Sequence, residues 1–189
     1  MSYILFLGYK KKKTKIIDFL KKKKFKVIEL GNRKITQSII KKNFTLIVSF
    51  GYKNIINKFI ISKLNRPIVN LHMSFLPYNR GAHPNFWSFI ENTPKGITIH
   101  EINNNIDAGP IIIRKKVSFP NLKKQTLKST YNILFKEIEN LFIKKFNLIL
   151  KKKYKKKYIK NKGTIHYKKD FPKKINNWKI KITDLKQIL

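Results

Sequence analysis

An α/β fold, with a mainly parallel sheet flanked by helices, is what this 189-residue sequence predicts. Three observations lead there. Short, nearly continuous apolar runs of strand length each close on a glycine, the segments between them carry apolar residues at helical spacing, and the length suits one folding unit and not two. Strands alternating with helices imply right-handed βαβ units.

The first strand is expected over Tyr3 to Leu7, closed by Gly8, and the next two over Lys26 to Leu30 and Thr45 to Phe50, closed by Gly31 and Gly51. Between them, Thr14 to Lys24 places Ile16, Ile17, Phe19 and Leu20 on one helical side, and Asn54 to Leu64 does the same with Ile55, Ile56, Phe59 and Ile60. A fourth strand, Pro67 to Asn70, runs into Asn70-Leu-His72-Met-Ser74-Phe-Leu-Pro77. A short helix follows over Pro84 to Ile90, with Phe86 and Trp87 as its core anchors, and then strands over Gly96 to Ile102 and Pro110 to Phe119. The tight polar loop Asn103-Asn-Asn-Ile-Asp107-Ala-Gly109 separates those two strands. Leu122 to about Lys153 carries the apolar stripe Leu127, Tyr131, Leu134, Ile138, Leu141, Phe142, Phe146 and Ile149, expected to be a long helix covering the sheet. Beyond Tyr154, Gly163 to Tyr167 reads as a strand, and Phe171 to Leu189 as a tail anchored by Trp178. His166 and Asp170 fit a binding loop or a plain hairpin equally.

Lys and Arg total 44 against nine acidic residues, a formal charge of +35. Such charge points to a polyanion if it forms one face, or to a compositional drift if it is spread over the whole surface. Lysines occur nearly everywhere, in Lys10 to Lys13, Lys21 to Lys24, Lys151 to Lys153 and Lys155 to Lys157, so both readings stand. The absence of cysteine excludes disulfides, a thiolate nucleophile and Cys-ligated zinc. The apolar start is too short for a signal-peptide core, and no apolar stretch approaches the roughly 18 residues of a membrane span. A cytoplasmic protein with no membrane partner is expected.

The sequence contains no G-x-G-x-x-G, no P-loop, no H-E-x-x-H and no G-x-S-x-G. His72, His83, His100 and His166 are scattered without closely spaced carboxylates, and no metal site is expected. What remains is an amide, an imidazole and a carboxylate: Asn70, His72 and Asp107. An Asn and a His two apart on a strand project from the same side, and they fall at a strand's carboxyl end, where open α/β sheets bind ligands. In acyl transfer to an amine, an amide N–H can meet the developing oxyanion, and a His of near-neutral pKa can take the amine's proton. A carboxylate beside that His would orient it and stabilise its cation. Each residue also has a plain alternative. An Asn or His at a strand end commonly serves as a hydrogen-bonded cap, Asp before Ala-Gly is an ordinary turn residue, and His100 in mid-strand reads as structural, with substrate contact as its functional alternative.

The order Asn-x-His-x-Ser-x-Leu-Pro, Arg80-Gly81, Gly96-Ile-Thr-Ile-His100 and Ile106-Asp-x-Gly109 resembles the formyltransferases that use 10-formyltetrahydrofolate. The resemblance extends from about Ser49 to Phe119, and Leu76 to Phe89 is most similar to the branch containing sugar N-formyltransferases. It implies a Rossmann-like formyltransferase fold, abbreviated at the N-terminus, with residues 1–153 as the catalytic domain and 154–189 as a C-terminal extension packing on it. It further implies Asn70, His72 and Asp107 as catalytic residues. The formyl donor, 10-formyltetrahydrofolate, would lie over Ser74, Phe75, Leu76 and Pro77, its pterin held by Gly51, Tyr52 and the backbone of Asn103, Asn104, Asn105 and Ile106. The implied acceptor is a small-molecule amine on an amino-deoxysugar nucleotide. Initiator Met-tRNA is the alternative, suggested by the charge, and glycinamide ribonucleotide a third acceptor less suited to Pro84-Asn-Phe-Trp-Ser. From another class comes a catalytically lapsed nucleic-acid-binding domain. A homodimer is left open. Two departures stand out: Ala108 occupies a position where Thr often follows the Asp, and the chain leaves no room for the further C-terminal domain of methionyl-tRNA formyltransferases.

Overall fold

The computed structural model describes residues 2–158 and 163–187; the tail and extension expectations reach beyond these at 159–162, 188 and 189. Six strands form one sheet in the order β2-β1-β3-β4-β6-β7, with β1 Tyr3–Gly8, β2 Lys26–Gly31, β3 Leu46–Phe50, β4 Ile68–His72, β6 Gly96–Glu101 and β7 Ile111–Lys116. The first four of these run parallel, and β6 and β7 add on antiparallel. The remaining short strands, β5 Arg80–Gly81 and β8 Ile165–His166, pair with each other alone.

Alternation along the strands sorts side chains onto two faces. Ile4 and Phe6 of β1, Val69 and Leu71 of β4 and Ile97 and Ile99 of β6 pack beneath α1 (Ile16–Lys22) and α5 (Leu127–Leu150). Leu5, Leu7, Ile47 and Ile68 face the other way, against Ile35, Phe44, Ile56 and Leu64. Asn70 and His72 share the parity of Ile68, and Thr98 and His100 that of neither Ile97 nor Ile99, so all four polar residues point away from α5. Burial of the apolar positions therefore dictates where the polar ones go.

The strand expectations agree with the structure to within a residue or two, except that β7 ends at Lys116, short of Phe119. The helices are more trimmed. The segment expected from Asn54 forms α3 only over Lys58–Lys63, because the Asn57 side chain accepts a hydrogen bond from the Ile60 N–H and fixes the start there. Ile55 and Phe59 consequently stay 84% and 55% exposed, and the apolar stripe proposed for that helix is corrected: only Ile56 of the four is buried. The long helix begins at Leu127, not Leu122, after a 3₁₀ turn over Leu122–Lys124. Its start is set by a reciprocal cap in which Thr126 Oγ1 accepts from the Ser129 N–H at 3.1 Å and Ser129 Oγ accepts from the Thr126 N–H at 2.8 Å. Thr126→Ala is expected to cost about 1 kcal/mol, seen as a lower urea midpoint at unchanged slope. One helical turn, α2 (Gln37–Ile40), was not anticipated; four residues are too few to show a period.

A third apolar cluster joins α4 (Pro84–Ile90) to α5 and the tail through Phe86, Phe89, Leu127, Ile175, Ile182 and Leu185. Trp178 packs here in near-parallel stacking with Phe171. Tyr154 and Lys156 reach the buried Glu101 at the end of β6, their hydroxyl and ammonium at 2.8 and 2.7 Å from its carboxylate. Lys157 exchanges two backbone hydrogen bonds with Ile111 at the sheet edge.

Candidate active site

Asn70, His72 and Asp107 meet at the carboxyl end of β4. The antiparallel register puts His100 directly opposite Asn70 and Thr98 opposite His72, so the side chains of facing residues lie within reach of each other. Asp107 enters from the loop between β6 and β7 with a positive φ of 44°, a conformation Asp tolerates better than most residues. Gly109 makes the loop's close return possible, since a Cβ there would sit 1.8 Å from the Glu101 carbonyl oxygen.

The carboxylate is held from several sides. Gly81 N–H donates to Oδ2 at 2.9 Å, Asn70 Nδ2 donates to Oδ1 at 3.1 Å, His72 Nδ1 lies 3.4 Å from Oδ2 and His100 Nε2 3.4 Å from Oδ1. Burial raises the Asp107 pKa, but His72, His100 and the Gly81 N–H outweigh it and hold the group well below the usual carboxylate range. It is therefore ionised at neutral pH.

Donor logic fixes the imidazoles. His72 Nε2 lies 3.1 Å from the Asn79 carbonyl oxygen, which can only accept, so Nε2 carries the proton and Nδ1, facing Asp107, is the basic nitrogen. Burial lowers the His72 pKa below its ordinary value; the Asp107 carboxylate opposes this and His100 adds to it. The ring is neutral at pH 7 and able to take a proton on Nδ1. His100 donates through Nδ1 to the Glu101 carbonyl at 2.9 Å, and its Nε2 accepts from Asn70 Nδ2 at 3.1 Å. Both Nδ2 hydrogens of Asn70 are thus engaged, which fixes the amide's orientation. A carbonyl oxygen entering the site competes with His100 for one of them. His100, read from the sequence as structural with substrate contact as the alternative, meets Asn70 and Asp107 through the strand register.

The Ser74 to Pro77 segment is pinned to the sheet. Thr98 Oγ1 donates to the Ser74 carbonyl at 2.7 Å and accepts from the Leu76 N–H at 3.1 Å, and Arg114 donates to the Leu76 carbonyl at 2.6 Å while its guanidinium lies 4.4 Å from the Phe75 ring centre. Thr98 lies inside the Gly96 to His100 motif, but neither its contacts nor Arg114 were expected from the sequence. Ser74 Oγ is buried without a hydrogen-bond partner among the described residues. Gly51 has a positive φ of 69°, and a Cβ there would meet the Tyr9 ring at 2.4 Å. The Tyr52 hydroxyl donates to the Arg33 carbonyl at 2.8 Å, so its ring is tied to the loop after β2. Asn103 closes the β6 to β7 loop on itself, accepting from the Asn105 N–H and donating to the Ala108 carbonyl. Among the described residues no group of His, Asp and Glu is arranged to hold a metal ion, and no helix is long and apolar enough to cross a membrane.

A neutral imidazole against an ionised carboxylate, with an oriented amide beside them on a Rossmann-like sheet, supplies the base and the hydrogen-bond donor that moving an acyl group onto a nucleophile requires. The chain belongs to the formyl transferase family, whose model matches residues 5–145. It is 32% identical over 132 residues to a dTDP-4-amino-4,6-dideoxyglucose formyltransferase of Mycobacterium tuberculosis, covering 70% of this chain and 55% of that protein. The chain thus spans about half the length of the curated relatives it matches. Among solved structures, the formyltransferase PseJ from Anoxybacillus kamchatkensis, in complex with UDP-4,6-dideoxy-4-formamido-L-AltNAc and tetrahydrofolate, is 34% identical with a TM-score of 0.88, each chain covered in full. The methionyl-tRNA formyltransferase from Clostridium thermocellum, at 18% identity and a TM-score of 0.66 over 88% of this chain and 72% of its own, shares the fold.

Proposed function

We propose that this protein transfers a formyl group from 10-formyltetrahydrofolate to the primary amine of an amino-deoxysugar nucleotide. The observation that carries the reading is the convergence of Asn70, His72 and Asp107 on one another, with His72 neutral and Asp107 ionised. In the transfer, the acceptor nitrogen bonds to the formyl carbon, and the carbon's bond to the folate nitrogen breaks. Asn70 Nδ2 donates to the carbonyl oxygen as it becomes negative, a donor worth roughly 3 kcal/mol. His72 Nδ1 accepts the proton lost by the amine, and Asp107 stabilises the resulting imidazolium. The proton is then available to the departing folate nitrogen, which balances the reaction.

The residues suit a folate. Ser74 Oγ offers a buried, unpartnered polar group, and the Ser74 to Pro77 segment is rigid where a donor must be held in register. Gly51 with Tyr52, and Asn103 to Ile106, remain the proposed pterin contacts. The acceptor class draws support from the named relatives, which act on or are bound to nucleotide sugars. It also fits the run Lys10 to Lys13, which follows β1 at the point where the strand order reverses and can meet a diphosphate.

The test is a release assay for tetrahydrofolate with dTDP-4-amino-4,6-dideoxyglucose, the UDP-linked 4-amino-4,6-dideoxy-L-AltNAc and dTDP-3-aminofucose, set against charged Met-tRNA. Formylation of a nucleotide sugar is expected. Formylation of Met-tRNA alone would replace the acceptor assignment with the tRNA reading that the +35 charge favours. Whether two chains associate is decided by sedimentation of the same preparation.

A further inference from the structure

We propose that Asn79 is a positioning residue for this reaction, and that Thr164 in the C-terminal extension clamps it so that its carbonyl fixes the tautomer of His72. The inference rests on the formyl-transfer reading for its kinetic consequence, but its structural content stands on the contacts below.

Asn79 is completely buried and has a positive φ of 55°. Every polar group it owns is used. Its carbonyl faces His72 Nε2 at 3.1 Å, its Nδ2 donates to Glu91 Oε2 at 2.9 Å, its Oδ1 accepts from Thr93 Oγ1 at 2.7 Å, and its N–H donates to Thr164 Oγ1 at 2.8 Å. The side-chain amide, and the N–H caught by the Thr164 hydroxyl, fix Asn79 and the peptide unit before it, while the Arg80 N–H, which donates to the Thr164 carbonyl at 3.0 Å, fixes the peptide unit after it. That unit carries the carbonyl on which the His72 tautomer depends. Without it, Nε2 loses its acceptor, the proton can move to Nδ1 beside the carboxylate, and the nitrogen facing Asp107 is no longer the base.

The extension reaches the site at a second point. β8 pairs with β5, so that the Arg80 N–H donates to the Thr164 carbonyl at 3.0 Å and the Ala82 N–H to the His166 carbonyl at 2.8 Å. Gly81 lies between them, and its N–H is one of the donors to Asp107. No side chain fits there, because a Cβ on Gly81 would fall 2.2 Å from the His166 carbonyl oxygen. Glu91 completes the frame, its second oxygen 2.8 Å from His166 Nε2, while the His166 ring stacks on Trp87 at 4.0 Å. Residues 163–166 therefore brace the backbone of 79–82, which in turn holds His72 by a carbonyl and Asp107 by an N–H.

The discriminating variants are Thr164→Val, which keeps the shape and removes the acceptor, and Thr164→Ser, which restores the hydroxyl. In Thr164→Val, kcat measured with the fastest acceptor of the panel above is expected to fall roughly 10- to 100-fold while KM for the folate stays within about twofold. The ring ¹⁵N shifts of His72 in the full chain should move from the Nε2–H form toward a mixture, and Thr164→Ser should recover both readouts. Asn79→Gly, which accepts the positive φ and keeps the backbone N–H but loses the side-chain bonds to Glu91 and Thr93, provides a second variant with the same expected ¹⁵N change should Thr164→Val fold poorly. Unchanged His72 shifts with kcat within twofold in the soluble variants would overturn the proposal. The nitrogen shifts need no substrate, so a wild-type protein that formylates nothing would refute the function while leaving this inference decided on its own evidence.

Discussion

His72→Ala is expected to lower kcat for formyl transfer by about 10²- to 10⁴-fold while leaving folate affinity nearly unchanged. The His72 imidazole carries the basic nitrogen that the mechanism uses: Asp107 is ionised but held far below the pKa a base would need at pH 7, and the Asn70 amide has no basic lone pair. Removing the ring leaves the amide donor and the pinned Ser74 to Pro77 segment in place, so binding should survive while proton removal does not. Stopped assays for kcat, with folate affinity measured separately by titration with 5-formyltetrahydrofolate, separate the two effects. Undiminished kcat in the purified variant would remove His72 from the proposed mechanism.

Much of this centre could be read from the sequence, for a physical reason. Asn70 and His72 are adjacent on one face of a strand, so a local pattern with period two is enough to bring them together. The mainly parallel sheet was legible too, because β1 and β3 are buried on both faces and read as nearly continuous apolar runs. Asp107 needed more: its turn is ordinary, and only its place after a strand that returns beside β4 puts it within reach. The contacts that escaped notice arise from non-local geometry. His100 meets Asn70 by antiparallel register, Arg114 reaches across from the edge strand to Leu76, and Thr164 arrives from a segment that returns over the site after the whole of α5. None of these pairings has a sequence period. The α3 stripe failed in the opposite way, since a good local pattern at Ile55 and Phe59 was overruled by a single cap at Asn57.

The charge balance looks different once contacts are known. Each of the nine acidic residues has a specific partner, from Asp18 with Lys11 and Glu29 with Lys21 to the buried Glu139, which accepts from Thr14 and from the Lys15 N–H. Pairs such as Lys115 with Glu137 are at least one-third exposed on both sides and contribute little each. With 44 Lys and Arg against nine acidic residues, most of the positive charge exceeds what internal carboxylates can balance, so its field is directed at solvent and at whatever anion approaches. Part of that field comes from Lys10 to Lys13, which follow β1 at the carboxyl edge of the sheet.

Asp107→Asn should lower kcat on the order of 10³-fold, although it changes one atom. In the native site the two carboxylate oxygens face Gly81 N–H and Asn70 Nδ2, both donors, so replacing either oxygen by NH₂ sets donor against donor. If the new amide instead turns its NH₂ toward His72 Nδ1, it occupies the lone pair that must take the amine's proton, while Nε2 remains tied to the Asn79 carbonyl. Loss of the negative charge acts in the same direction. Asp107 raises the His72 pKa against the lowering effect of burial, so without it the ring must titrate at a still lower pH than in the native protein. Because the native pKa already lies below the unfolded value of about 6.5, the folded state binds fewer protons than the unfolded one, and stability falls as pH drops from there through the native pKa. A pH series of His72 ring shifts measures this directly: the native midpoint is expected below 6.5 and the Asp107→Asn midpoint below that. A midpoint that rises in the variant would mean that Asp107 does not stabilise the imidazolium, and the rate loss would then have to come from the amide geometry alone.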